Sequence, residues 1–351
     1  MNIDRQKPVL VTGANGYIAS WLVKKLLEEG LTVHGTVRDP NNTGKVGHLH
    51  KIADKSSGTL KLFAADLLKE GAFDEAIQGC ELVFHTASPF VVRGIKDPMA
   101  ELVEPAKLGT RNVLEAANRC DSVKRIVLTS SVVGIYGDAV DILETSSGVF
   151  TEEYWNTTSR VDHQPYNYSK VEAEKVGWDI QKAQDRWDLV VVNPGLVMGP
   201  SLTTASNSTS LSTIKELVDG SMRTGVPDLN FALVDVRDVA LAHYQAGFTP
   251  SASGRHILTS TSTSLMGMVD IIKQQFGKKR FAYPMMIAPK WIVSLMGPSQ
   301  GVTREFVKKN VGYPLEFDNS YTRKDLDMVF RPIEETISDH LQQMLDDGIV
   351  K

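Results

Sequence analysis

The chain opens on a short apolar run, "VLVTG" (9–13), and returns to that texture at intervals: "LTVHGTV" (31–37), "LKLFAAD" (60–66), "LVFHTA" (82–87), "RIVLTSS" (125–131) and "DLVVVNP" (188–194). These runs are rich in Val, Ile, Leu and Phe and lack the strict alternation of a strand with one wet face. Strands buried on both faces read this way. Between them, apolar positions fall at amphipathic-helix spacing over 16–29, 98–119 and 167–186. Strand and helix in alternation predict a parallel sheet with right-handed crossovers, an α/β doubly wound fold of the Rossmann type.

Beyond Pro200 the pattern changes. "SLTTASNSTSLST" (201–213) is a Ser/Thr-rich loop, followed by helix-like and strand-like pieces broken by Gly and Pro, among them "PMMIAPKWIVSLMGP" (284–298) and a final helix near 333–347. The expected organisation is a dinucleotide-binding domain over 1–195 and a smaller substrate-binding cap over 196–351. Segments near 229–260, such as "FALVDVRDVALAHYQA" (231–246), could return to the first sheet.

A net charge of -4 gives no basic excess for a nucleic acid or an anionic membrane to attract, which favours small-molecule chemistry. The two cysteines, Cys80 and Cys120, sit among apolar neighbours and read as buried reduced thiols. No disulfide framework and no metal site are expected. The first apolar run is too short for a signal peptide and no run of about twenty apolar residues follows, so the cytoplasm is the default location. The sequons at Asn41, Asn156 and Asn207 then read as polar loop sequence.

In "VTGANGYIAS" a strand runs into Gly13 and Gly16, with Ala19 one helical turn inside. One glycine permits a sharp turn, a second lets backbone approach a pyrophosphate, and a small third residue lets the helix pack against the sheet. The helix N-terminus adds free N–H groups and a positive dipole end. Gly13, Asn15, Gly16, Tyr17 and Ile18 are the candidate cofactor contacts here. The spacing, G-x-x-G-x-x-A, resembles that of the short-chain dehydrogenase/reductase superfamily, and the length and cap point to its extended branch.

The second strand ends in "TVRDP", where an NAD-specific fold would place an acid on the ribose. Arg38 stands there instead, and its planar fork suits a 2′-phosphate. Lys45 could add a second cation, so NADP(H) is the expected cofactor. Asp66 and Leu67 follow the third strand, on the adenine side. Thr86, Ala87 and Ser88 end the fourth beside the expected cleft, and His85 reads as a packed strand histidine.

The fifth strand closes on Ser130 and Ser131, and "HQPYNYSK" (163–170) then sets Tyr166 and Lys170 one helical turn apart. Glycine turn, arginine, strand-end serine and Y-x-x-x-K arrive in the order that carbonyl reduction needs. Hydride goes to carbon, a proton goes to oxygen, and negative charge grows on that oxygen. Tyr166 is the expected proton donor, its phenol acidified by Lys170 and by the oxidised nicotinamide. Lys170 should also hold the nicotinamide ribose. Ser131 should hold the substrate oxygen, with Ser130 as its rival. Tyr168 lies on the opposite helix face. Pro194 to Val197, in "NPGLVMGP", should sit beside the nicotinamide.

Taken together, "VTGANGYIASWLVKKLLEEGLTVHGTVRDP", "AADL", "VFHTASP", "VLTSS", "YNYSK" and "NPGLVMGP" resemble the dihydroflavonol-reductase-like group of extended short-chain reductases. That group includes cinnamoyl-CoA reductases and microbial NADPH-dependent aldehyde and ketone reductases. The resemblance implies that Arg38 and Lys45 grip the 2′-phosphate and that Ser131, Tyr166 and Lys170 form the triad. Where plant dihydroflavonol reductases carry a substrate-binding Asn this chain has Tyr136, and the cinnamoyl-CoA reductase signature N-W-Y-C-Y-G-K is here "QPYNYSK". A small aldehyde or ketone is therefore the expected substrate, with Phe90, Tyr136, Trp155 and Met198 as pocket walls or core, acting in a monomer or homodimer. The alternatives are a nucleotide-sugar epimerase, a hydroxysteroid dehydrogenase, or an NADP(H)-sensing module without chemistry.

Overall fold

The computed structural model describes residues 1–89, 95–203 and 209–350; Phe90 and Asn207 lie outside them. Among the described residues ten strands form two sheets. They are β1 (Val9–Val11), β2 (Thr32–Val37), β3 (Thr59–Ala64), β4 (Leu82–His85), β5 (Arg125–Thr129), β6 (Asp188–Pro194), β7 (Leu196–Met198), β8 (Asn230–Asp235), β9 (Gly254–Leu258) and β10 (Thr261–Ser264). The larger sheet is parallel throughout, in the order β3-β2-β1-β4-β5-β6-β9. In the smaller one β8 pairs parallel with β7 and antiparallel with β10.

The sequence texture has its cause in the way each strand divides its side chains. Val9 and Val11, Leu82 and Phe84, and Val190 and Val192 enter one core, while Leu10, Val83, Leu189 and Val191 between them enter the other. Helices α1 (Tyr17–Glu28) and α2 (Thr43–Ala53) cover the first face; α3 (Glu104–Arg119) and α4 (Pro165–Lys182) cover the second. The fold is thus Rossmann-like and wound on both sides.

Two local differences from the sequence reading have simple reasons. Helix α2 buries only Val46 and Leu49, too few to write a period. The helix expected over 98–119 starts as a wide π turn, Met99–Val103, before α3, which carries Pro105 in its first turn. A proline there cannot donate to the preceding turn.

After α5 (Thr209–Val218) and β8, α6 (Val236–Phe248) packs against α1. Strand β9 then extends the large sheet beyond β6. Helix α7 (Leu265–Phe276) and the last helix enclose a third core around Met198, Leu233, Ile272, Ile337 and Leu341. Between them lie α8 (Lys290–Met296), α9 (Arg304–Asn310) and α10 (Ser320–Asp325), before α11 (Ile333–Asp346) closes the chain. Leu326, Met328 and Phe330 return to the first core. No helix among the described residues is long and apolar enough to cross a membrane.

Because the seven strands are parallel, the carboxyl ends of β1, β4, β5 and β6 share one edge. The strand order reverses between β1 and β4, which opens a crevice at that edge.

Candidate active site

Thr12, the residue before the glycine turn, stitches the two sides of the crevice together. Its Oγ1 accepts from the backbone N–H of Thr86 (3.1 Å) and of Ala87 (3.0 Å) and lies 2.9 Å from Nδ1 of His85. The Thr86 hydroxyl donates back to the Thr12 carbonyl. Gly13 has φ +64, and a Cβ on it would come within 3.1 Å of Ala87 Cβ, so both backbone conformation and space demand glycine. The Gly16 N–H closes the turn on the Gly13 carbonyl at 2.8 Å and α1 starts at the next residue, with no acid in its first turn. Asn15 and Ile18 lie half-buried on this turn. Tyr17 has its hydroxyl committed elsewhere, donating to the carbonyl of Gly199 at 2.6 Å. A tight left-handed glycine, small neighbours and a helix N-terminus free of negative charge fit a dinucleotide pyrophosphate.

Arg38 is exposed just past β2 and pairs with no described residue. Neighbouring Asp39 accepts the Asn41 N–H at its Oδ1, at 2.9 Å. Lys45 is exposed in the first turn of α2. Two cations without counter-ions among the described residues match a phosphate at this end. On the adenine side, Asp66 caps its own turn through the Leu68 N–H (2.9 Å), and the Leu67 carbonyl accepts from Asn112 Nδ2 (2.9 Å).

At the reacting end, α4 is seated before it begins. Gln164 adopts a left-handed φ of 58, rare outside glycine, and its Nε2 donates to the Gly137 carbonyl (2.6 Å) and to Asp138 Oδ1 (2.9 Å). His163 and Asn310 also bond to Asp138, whose carboxyl is wholly buried. Burial pushes Asp138 upward, but the bonds from Asn310, His163 and Gln164 prevail and hold it below the usual carboxylate range. Pro165 starts the helix, so Tyr166 and Lys170 emerge from a fixed N-terminus.

Lys170 Nζ lies 5.8 Å from the Tyr166 ring centroid and donates to Ser88 Oγ at 3.0 Å. A small crevice is bounded here by Ala87, Ser88, Ser130, Lys170 and Glu174. Burial pushes Tyr166 up to about 12 and Lys170 down to about 8. Loss of water favours the neutral form of each group, so it raises the phenol and lowers the ammonium. Burial, with the Lys170 charge adding to it, takes His85 down to about 3, so it stays a neutral packed residue.

The two candidate serines part company. Ser130 is buried and donates its hydroxyl to Glu174. Ser131 is half-buried, and its hydroxyl makes two long contacts, to the Pro194 carbonyl (3.3 Å) and from the Val133 N–H (3.4 Å). Val197 lies in β7 opposite Val234. Of the residues read as pocket walls or core, Met198 is fully buried in the third core. Trp155 lies under the Arg255 guanidinium at 4.1 Å, and Tyr136 stacks on Phe150 at 5.3 Å. Sequence reasoning passed over Thr12, Asp138, Gln164, Glu174 and Arg255. The one signal available was Glu174, at the same spacing of four after Lys170.

A family model described as "NAD dependent epimerase/dehydratase family" matches residues 9–257. The chain belongs to that family. It is 44% identical over 271 residues to "Cinnamoyl-CoA reductase CAD2" of Medicago truncatula, covering 76% of this chain and 80% of the relative. It is 34% identical to "Tetraketide alpha-pyrone reductase 1" of Arabidopsis thaliana, covering 97% and 96%. Among solved structures it is similar to yeast methylglyoxal/isovaleraldehyde reductase Gre2 complexed with NADPH, with TM-score 0.79, 28% identity and coverage of 97% and 99%. Within the family the chain is an NAD(P)-dependent reductase of the extended short-chain type.

Proposed function

We propose that this protein reduces an aldehyde or ketone to an alcohol with NADPH, with Tyr166 as proton donor, Lys170 as its cationic neighbour and Ser131 as hydrogen-bond donor to the substrate oxygen. The observation that carries the reading is the Tyr166–Lys170 pair, one turn apart on a clamped helix, with Nζ 5.8 Å from the ring and 3.0 Å from Ser88 at the end of β4.

The cofactor is NADP(H). The solved Gre2 structures of yeast and Candida albicans carry NADPH, and here Arg38, unpaired among the described residues, stands where an acid would select NAD. Gly13, Gly16, Thr86 and Ala87 would hold the pyrophosphate end, Arg38 and Lys45 the 2′-phosphate, and Asp66 and Leu67 the adenine. Pro194 and Val197 would flank the nicotinamide. When bound, NADPH supplies the hydride to the carbonyl carbon. Tyr166, kept protonated by its raised pKa, gives its proton to the oxygen as negative charge grows there. Ser131 fixes that oxygen, and the Lys170 charge favours the phenolate left behind.

A second reading, reduction of a CoA thioester, is favoured by the 44% identity to a cinnamoyl-CoA reductase. Against it stands the tyrosine segment "QPYNYSK", which departs from the N-W-Y-C-Y-G-K signature. NADPH absorbance followed with isovaleraldehyde, methylglyoxal, simple ketones, a dihydroflavonol, cinnamoyl-CoA and a nucleotide sugar separates these. We expect aldehyde-dependent consumption, cut about 100-fold or more by Tyr166→Phe. Consumption with cinnamoyl-CoA alone supports the thioester reading, and a Tyr166→Phe loss under about tenfold removes that residue from its role.

A further inference from the structure

We infer that Glu174, acting through Asn193, is a positioning residue that holds Ser131 in register with Tyr166; the inference rests on the catalytic reading above. Glu174 follows Lys170 by one turn on α4, and its side chain is wholly buried. A buried carboxylate persists only where its lone pairs are used. Here Arg255 Nε (2.7 Å) and Trp178 Nε1 (3.3 Å) donate to Oε1, while Ser130 Oγ and Asn193 Nδ2 (3.1 Å) donate to Oε2.

Asn193 spends its amino group twice. One hydrogen goes to Glu174 and the other to the Ser131 carbonyl, at 3.1 Å, while its own Oδ1 is buried without a partner among the described residues. Two acceptor-only groups, the Glu174 carboxylate and the Ser131 carbonyl, keep the amide turned this way at the expense of that oxygen. The Ser131 hydroxyl has only long contacts, so the serine is placed chiefly by its backbone. The following turn rests on the same carboxylate. A Cβ at Gly134 would lie 2.9 Å from Glu174 Oε2, and Arg255 Nη2 donates to the Gly134 carbonyl at 3.1 Å. The helix that carries Tyr166 and Lys170 and the strand end that carries Ser131 therefore meet on one side chain.

Glu174→Gln tests this connection. With its oxygen kept by Arg255, the new amide turns its N–H groups toward Asn193. Asn193 then rotates to offer Oδ1 and loses the Ser131 carbonyl. Full-length wild type, Glu174→Gln, Asn193→Ala, the double variant and Tyr166→Phe are compared by single-turnover NADPH oxidation with isovaleraldehyde, by KM, and by NADPH affinity from fluorescence. We expect the rate at saturation to fall about 10- to 100-fold in each single variant, as a misplaced reacting group does. NADPH affinity should stay within about twofold, and the double variant should be no slower than the slower single, because both cut one connection.

Saturating rates within about twofold of wild type, or losses that multiply in the double variant, overturn the inference. If Glu174→Gln does not fold, Asn193→Ala, which leaves the Glu174–Arg255 pair whole, decides alone. A Tyr166→Phe protein that keeps its rate overturns the catalytic reading and this inference together. An inactive Tyr166→Phe beside an unimpaired Glu174→Gln overturns this inference only.

Discussion

Lys170 Nζ donates to Ser88 Oγ at 3.0 Å, which ties the helix bearing the Y-x-x-x-K pair to the end of β4 across the crevice. The same enclosure withdraws water from the ammonium and lowers it to about 8, while Tyr166 rises to about 12. Reduction by the proposed mechanism needs a protonated phenol and a charged lysine. Below pH 8 both conditions hold. As pH rises through about 8 the lysine loses its proton first, so kcat/KM for NADPH, which reports free-enzyme groups, should be level near neutrality and fall above pH 8. Lys170→Arg, with a pKa above 12, should remove that limb from the accessible range at some cost in absolute rate. A limb that survives the substitution unchanged assigns it to another group.

Arg38 offers its guanidinium to solvent and forms no ion pair with any described residue. Charge-assisted bonds to a 2′-phosphate are worth about 1.5–3 kcal/mol. Arg38→Ala should therefore weaken NADPH binding about 10- to 100-fold and NADH binding less than about threefold, in parallel titrations at one salt concentration. Equal losses for the two cofactors would overturn the assignment of Arg38.

Much of this was readable in advance, for a physical reason. A strand between two cores must be apolar at consecutive positions, and Leu10 between Val9 and Val11 shows the two faces that wrote the pattern. Gly13 was readable because no other residue suits its φ and its approach to Ala87. Side-chain direction beyond the strand ends was not: Ser130 and Ser131 are identical letters, and only the turn after β5 sends one hydroxyl to Glu174 and the other to the Pro194 carbonyl. The Asp138 cluster was hidden as well, since Asn310 comes to it from 172 positions away. Nor does a sequence print burial, which is what sets the Tyr166 and Lys170 values.

The serine pair gives a test with two readouts. Ser131→Ala removes a hydroxyl with only long internal contacts, so the fold should keep its stability within about 0.5 kcal/mol while the saturating rate falls about tenfold or more. Ser130→Ala takes a donor from a buried carboxylate and should cost about 1–3 kcal/mol in urea unfolding, with the smaller rate effect. The opposite pattern would exchange their roles.

The last prediction concerns the edge of the sheet remote from the crevice. Arg125 begins β5, its side chain fully buried, and its fork grips both Asp188 oxygens at 2.8 Å. Its remaining N–H groups donate to the carbonyls of Ala246 (3.0 Å), Thr249 (2.6 Å) and Ala252 (3.2 Å), which join the end of α6 to the start of β9. Arg125→Ala strands these buried acceptors and opens a cavity, so the loss should be about 3–5 kcal/mol, read as a lower urea midpoint. Lysine keeps the charge but cannot form the fork, so Arg125→Lys should recover only part of that stability. Because the site is at the opposite strand ends, the folded Arg125→Lys protein should retain kcat within about twofold at low temperature. A loss of rate without a loss of stability would mean that β9 and Arg125 are coupled to the crevice rather than only to the packing of the sheet edge.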